Sequence, residues 1–149
     1  SDGNVTAIGV GTATITAMAT SGVSSESQVT VRNIVIDLPI LPESYSYSGG
    51  STTYSTCDIE KIEIDKTRNS DTTYSVEVML YGTKTYDNKP TTSSSCKVGY
   101  KLYDANDYVV KSGTFYSDSV FPNEKFKGSF YLFSLEDGEY RLELLNVTN

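Results

Sequence analysis

Ser75-Val76-Glu77-Val78-Met79-Leu80-Tyr81 is the stretch that decides the fold, because Val76, Val78 and Leu80 fall on every second residue. A two-residue period places those three on one face of an extended strand and turns the others to the opposite face. The same period recurs on both sides. Strands are expected at Asp58 to Lys66, Thr73 to Tyr81, Lys97 to Asp104, Tyr108 to Tyr116, Glu124 to Phe133 and Glu139 to Val147. Their inward sets are Ile62 and Ile64; Val76, Val78 and Leu80; Val98, Tyr100 and Leu102; Phe126, Phe130 and Leu132; and Tyr140, Leu142 and Leu144. Reversals fall at Asn69 to Asp71, Asp104 to Asp107, Pro122-Asn123 and Glu136-Asp137-Gly138, where Asx and glycine chemistry suits tight turns. No stretch holds a 3.6-residue period, so little or no helix is expected.

Working toward the N-terminus, Ile34, Ile36 and Leu38 share one face of a further strand over Asn33 to Leu38. It brings the count to seven, the number of an immunoglobulin-like sandwich. The segment 39–56 is rich in Ser, Thr, Gly and Tyr and reads as a loop, with Gly49-Gly50 at its tip. Before residue 33 the text changes. No aromatic precedes Tyr45, and Asn4 to Val31 alternates β-branched with small or polar residues. Short strands are expected at Asn4 to Ile8, Thr12 to Ala19 and Ser25 to Arg32, the middle one half-buried with Ala13, Ile15 and Ala17 on one face and threonines on the other. The expected fold class is therefore all-β: a partial immunoglobulin-like module over 1–32, then an immunoglobulin-like antiparallel β-sandwich over 33–149.

Gly3, Val5-Thr6-Ala7-Ile8, Gly9, Gly11-Thr12-Ala13-Thr14-Ile15-Thr16-Ala17 and the closing Val29-Thr30-Val31 resemble the C-terminal half of the bacterial immunoglobulin-like group 2 family. The resemblance implies that the first strands of that module are missing from this sequence. A piece this small, without a large side chain, cannot build an unaided core and must borrow stability from a neighbour. Further on, Tyr100-Lys101-Leu102-Tyr103-Asp104, Val109-Val110-Lys111-Ser112-Gly113-Thr114 and Pro122-Asn123-Glu124-Lys125-Phe126 look like an FxLYD-type domain, a bacterial and archaeal β-sandwich. Tyr100 stands where that family has phenylalanine, and Asn123 where it usually has glycine. This resemblance implies an extracytoplasmic location and no catalysis.

Composition narrows the function classes. The net charge of -7 leaves no basic surface to displace counterions from phosphates, which argues against nucleic acid. No apolar run reaches the roughly 18 residues of a membrane-spanning helix, and no leader-like segment opens the text. The chain has no histidine. Cys57 and Cys96 alone cannot supply a zinc site, and neither has a base to make it a nucleophile. They are either two thiols or one disulfide. Strands beginning at Asp58 and Lys97 run the same way in a meander, bringing both cysteines to one end, so the disulfide is the candidate. If both their strands flank the Thr73 strand in one sheet they stand about 9.6 Å apart, too far for a bridge. Bonding requires one strand to cross into the other sheet, or the cysteines to lean together from loops.

Paired carboxylates such as Asp58 with Glu60, or Glu136 with Asp137, sit at strand ends or turns and read as solvent-facing rather than as a glycosidase pair. Asp104, Asn106 and Asp107, with Asp118, form the best cluster of calcium-type oxygen ligands, but an ordinary hairpin turn explains them better. No metal site or cofactor is expected. Tyr81, Tyr103, Tyr131 and Phe133 turn away from the inward sets and are the candidate binding residues, a platform on which sugar rings could stack. Cross-strand pairing that stiffens a sheet is the plainer account of them. The expectation is thus a non-catalytic spacer or adhesion module of a bacterial surface or secreted multi-domain protein, extracellular or at the cell surface. The sequence names no partner; a cell-surface protein or glycan is the class such a module would suit. The alternatives are a carbohydrate-binding accessory module using the tyrosine face, and a self-associating component pairing through exposed strand edges.

Overall fold

The two-residue period around Val76 becomes the longest alternation in the computed structural model, which describes Thr6 and residues 11–149. From Tyr74 to Leu80 even-numbered residues are buried and odd-numbered ones half-buried, as a strand between a core and a partly solvated face requires. In chain order the strands are β1 (Gly11–Met18), β2 (Ser24–Val31), β3 (Ile34–Asp37), β4 (Glu43–Gly49), β5 (Thr52–Arg68) and β6 (Thr73–Asp87). They continue as β7 (Ser94–Asp104), β8 (Val109–Val120), β9 (Lys125–Glu136), β10 (Gly138–Leu145) and β11 (Val147–Thr148). The strand expected at Asn4 to Ile8 lies, apart from Thr6, outside the described residues.

From β3 onward the chain is an all-β sandwich. One sheet has the order β3-β10-β7-β8 and the other β11-β4-β5-β6-β9. Neighbours are antiparallel except for two short edge pairs, β3 with β10 and β11 with β4, which are parallel. All five inward sets face the core. Val76, Val78, Leu80, Val98, Leu102, Phe126, Phe130, Leu132, Leu142 and Leu144 are buried, and Ile62, Ile64, Tyr100 and Tyr140 pack against them. Tyr100 stacks on Phe130 with centroids 4.1 Å apart, tying one sheet to the other.

The expected loop over 39–56 needs correcting, because most of it is strand. Ser44-Tyr45-Ser46-Tyr47-Ser48 carries the same two-residue period as β6, with Tyr45 buried. Gly49 pairs with Thr52 across the two-residue turn Gly50-Ser51, and Gly50 takes a left-handed φ of 56°. This is a tight hairpin: Gly49 closes β4, and Gly50, with Ser51, makes its turn. At the β8–β9 reversal Asn123 adopts φ 69°, the left-handed conformation that asparagine tolerates where glycine would be usual. Asp107, φ 62°, does the same between β7 and β8.

β1 and β2 pair in register from Gly11↔Val31 to Met18↔Ser24 as a separate two-stranded sheet. The half-buried strand expected at Thr12 to Ala19 is exposed along nearly its whole length: only Ile15 is partly covered, and Met18, Val23 and Val29 face solvent. A two-stranded hairpin with both faces in water is marginal on its own. Its link to the sandwich runs through Arg32, which donates to the Asp71 carbonyl at 3.2 Å and pairs with Asp137 at 3.6 Å.

Candidate functional site

A disulfide between Cys57 on β5 and Cys96 on β7 joins the two sheets, with a Cα separation of 6.1 Å. It resolves the choice between thiols and bridge by the first of the two routes, β7 lying in the sheet opposite β5. Both cysteines are buried. The residues beside them, Ser55 before Cys57 and Ser95 and Lys97 around Cys96, line a cleft of about 350 Å³.

The walls of this cleft come from different elements. β4 supplies Tyr47 and β5 supplies Tyr54, whose rings lie 5.0 Å apart across the hairpin. β7 supplies Lys97 and β8 its cross-strand partner Tyr116. The Lys97 ammonium sits 3.8 Å from the Tyr47 ring centroid and 5.7 Å from that of Tyr116. The disulfide therefore fixes the distance between a tyrosine wall on one sheet and a lysine-tyrosine wall on the other.

At the back of the cleft lies a buried polar cluster. Lys84 is fully buried; its ammonium pairs with Asp87 and also donates to the Ser94 carbonyl at 3.0 Å and the Val120 carbonyl at 3.2 Å. Asp87 also accepts from the Ser94 hydroxyl and, at 2.8 Å, from the Lys89 amide. Burial alone would raise its pKa, but these hydrogen bonds and the Lys84 charge outweigh that and hold it below its ordinary value. The cluster anchors the 88–93 segment, whose Asn88, Lys89 and Thr92 form the rim.

The candidate platform of Tyr81, Tyr103, Tyr131 and Phe133 is not one surface. Tyr81 on β6 and Tyr131 and Phe133 on β9 lie on the outer face of the five-stranded sheet, whereas Tyr103 on β7 belongs to the other sheet. Tyr131 and Phe133 stack at 5.8 Å, but Tyr131 sits opposite Glu77 in register and Tyr81 opposite Lys127. Each hydroxyl is committed to a neighbouring carboxylate: Tyr81 donates to Glu63 at 2.6 Å, Tyr103 to Glu143 at 2.7 Å and Tyr131 to Glu77 at 2.9 Å. Those bonds favour the neutral phenol and raise all three pKa values. Arg141 covers the Tyr103 ring at 4.3 Å. Cross-strand stiffening accounts for these contacts.

The turn at Asp104 to Asp107 has the Asx geometry of a hairpin. Asp104 Oδ1 accepts from the amides of Asn106 at 2.9 Å and Tyr108 at 3.0 Å, and Asp107 pairs with Arg141 at 3.0 Å. Asp118 lies on β8, in a shallow groove with Glu77 and Lys127. Of the carboxylates weighed as pairs, Asp58 accepts from Ser44, Glu60 accepts from Thr83 at 2.6 Å, and Asp137 pairs with Arg32 at 3.6 Å.

Sequence reasoning missed the cleft because Tyr47, Tyr54 and Ser55 fall in the expected loop over 39–56, and the opposite wall depends on which strands change sheets. The available signal was proximity: Tyr54 and Lys97 flank the two cysteines at three residues and one residue. No protein-family model, curated protein or solved structure matches the chain.

Proposed function

We propose that this chain is a non-catalytic spacer or adhesion module of a bacterial surface or secreted multi-domain protein. The observation that carries the reading is the path of its edge strands. β3 starts beside the start of β10, with Ile34 opposite Gly138, and runs parallel to it. β10 then leads to β11 at the other end, so the chain enters and leaves the sandwich at opposite ends, roughly 30 Å apart for ten extended residues. Modules threaded this way extend end to end instead of folding back.

Tension through such a chain pulls β3 and β10 in opposite directions along their axes. The hydrogen bonds of the pair are then loaded together in shear, not opened one at a time. The buried disulfide adds a covalent tie between the sheets, and disulfides persist in the oxidising setting outside the cytoplasm, which supports an extracellular location. Tethering the protein to a surface through its C-terminal residue, with a label ahead of Asn33, tests the reading. The label is expected to stand roughly 30 Å or more above the tether, each further copy adding a like step. A label lying at the tether's own height would contradict it.

A further inference from the structure

We propose that the cleft between Tyr47, Tyr54, Lys97 and Tyr116 is a binding site for an acidic saccharide, whose carboxylate pairs with the Lys97 ammonium while its ring lies on the tyrosines. Three observations converge on it, and none depends on the spacer reading.

The first is charge. In a chain of net charge -7, the cleft gathers Lys97, Lys89 and, behind them, Lys84, against the single carboxylate of Asp87. Asp87 is spent on Lys84. Among the described residues no carboxylate pairs with Lys97, whose charge rests only on the faces of Tyr47 and Tyr116. An ammonium held on aromatic faces is partly stripped of water and remains free to meet an anion.

The second is the set of walls. Tyr116 is 58 % exposed and offers a ring face beside Lys97, and the Tyr47–Tyr54 pair stands opposite. Aromatic faces with polar rims take the C–H face of a sugar ring while phenol edges reach its hydroxyls. At about 350 Å³ the cleft is at the small end of ligand sites, room for one or two rings.

The third is Ser55. Its residue is 3 % exposed and lines the cleft, yet its hydroxyl has no hydrogen-bond partner among the described residues. A buried hydroxyl left unpaired is costly, and a ligand hydroxyl would satisfy it. An acidic sugar combines the anion, the stackable ring and the hydroxyl that these features ask for.

The test is NMR titration of the full chain, following the ring signals of Tyr47, Tyr54 and Tyr116, with cellobiuronic and digalacturonic acids, the neutral disaccharide cellobiose, and inorganic phosphate. The acidic disaccharides are expected to move the three tyrosine signals and to bind about ten- to a hundredfold tighter than cellobiose, the worth of one charge-assisted hydrogen bond. Lys97→Met is expected to erase that preference, Lys97→Arg to retain it, and Tyr116→Ala to weaken every sugar, with the core methyl spectrum unchanged in each. Equal binding of neutral and acidic sugars would overturn the proposal. So would phosphate binding as tight as the uronic acids, which would mark an anion site only, or no movement of the cleft tyrosines with any probe.

Discussion

Asp87→Ala is expected to cost about 3–5 kcal/mol of stability, because it strands a fully buried ammonium. In the native protein Lys84 is compensated by Asp87 and by two carbonyls and a hydroxyl from Ser94 and Val120. Removing the carboxylate leaves only neutral acceptors around a charge that water cannot reach. The double variant Lys84→Met with Asp87→Leu removes both charges and should lose less than the single variant, since a well-packed apolar pair often replaces a buried ion pair at little cost. Denaturant unfolding of the native protein, the single and the double variant checks this; equal losses would sink the account of the cluster.

The same pair sets an acid limit. The folded-state pKa of Asp87 is depressed, so its contribution is fully present above the unfolded-state value of about 3.9 and is lost as pH falls through the folded value. The gap in stability between native protein and Asp87→Ala should therefore begin to narrow only below about pH 4 and close once pH is below the depressed folded value.

The second large effect belongs to Cys57–Cys96. Replacing both cysteines with alanine is expected to cost about 3–4 kcal/mol by the chain-entropy argument for a bridge closing 39 residues. The melting temperature should fall by on the order of 10 °C. Because both sulfurs are buried, mild reductant should act slowly on the native protein and quickly once it is unfolded. The loss should also reach the cleft. With Ser55 and Lys97 no longer tied through their neighbours, the Lys97–Tyr47 contact should loosen, read as averaging of the Tyr47 ring signals. An unchanged melting temperature would mean that the bridge does not hold the sheets.

Much of the sandwich was legible in single strands. Val76, Val78 and Leu80 on β6, or Phe126, Phe130 and Leu132 on β9, declare their inward face by spacing alone, because burial on one side of a strand imposes a period of two. β4 is hidden although it has the same period, because its apolar members are tyrosines set among serines and it runs through Gly49 straight into a Gly50-Ser51 turn. Composition there resembles a mobile loop, and only the partner strand β5 shows that it pairs.

The site was less legible for a related reason. A period tells which way Tyr81 and Tyr103 point relative to their own strands, not which sheet each strand joins. The period turns both away from the inward sets of their strands, yet they lie on different sheets. The cleft needs still more: Tyr47 and Lys97 meet across fifty positions of sequence because β7 leaves the sheet that β4 to β6 build. That crossing is a tertiary fact, and the cysteines, for which a crossing was one of two routes to bonding, are its trace in the sequence.

Pulling single molecules from both ends, with and without reductant, tests most directly the claim that the sandwich is one load-bearing unit tied across its sheets. The oxidised protein should unfold in one event and stop short, because the 39-residue span between Cys57 and Cys96 stays locked. Reductant should then release a further step of roughly 130–140 Å, the extended length of that span. Full extension without reductant, or separate low-force unfolding of the two sheets, would contradict it.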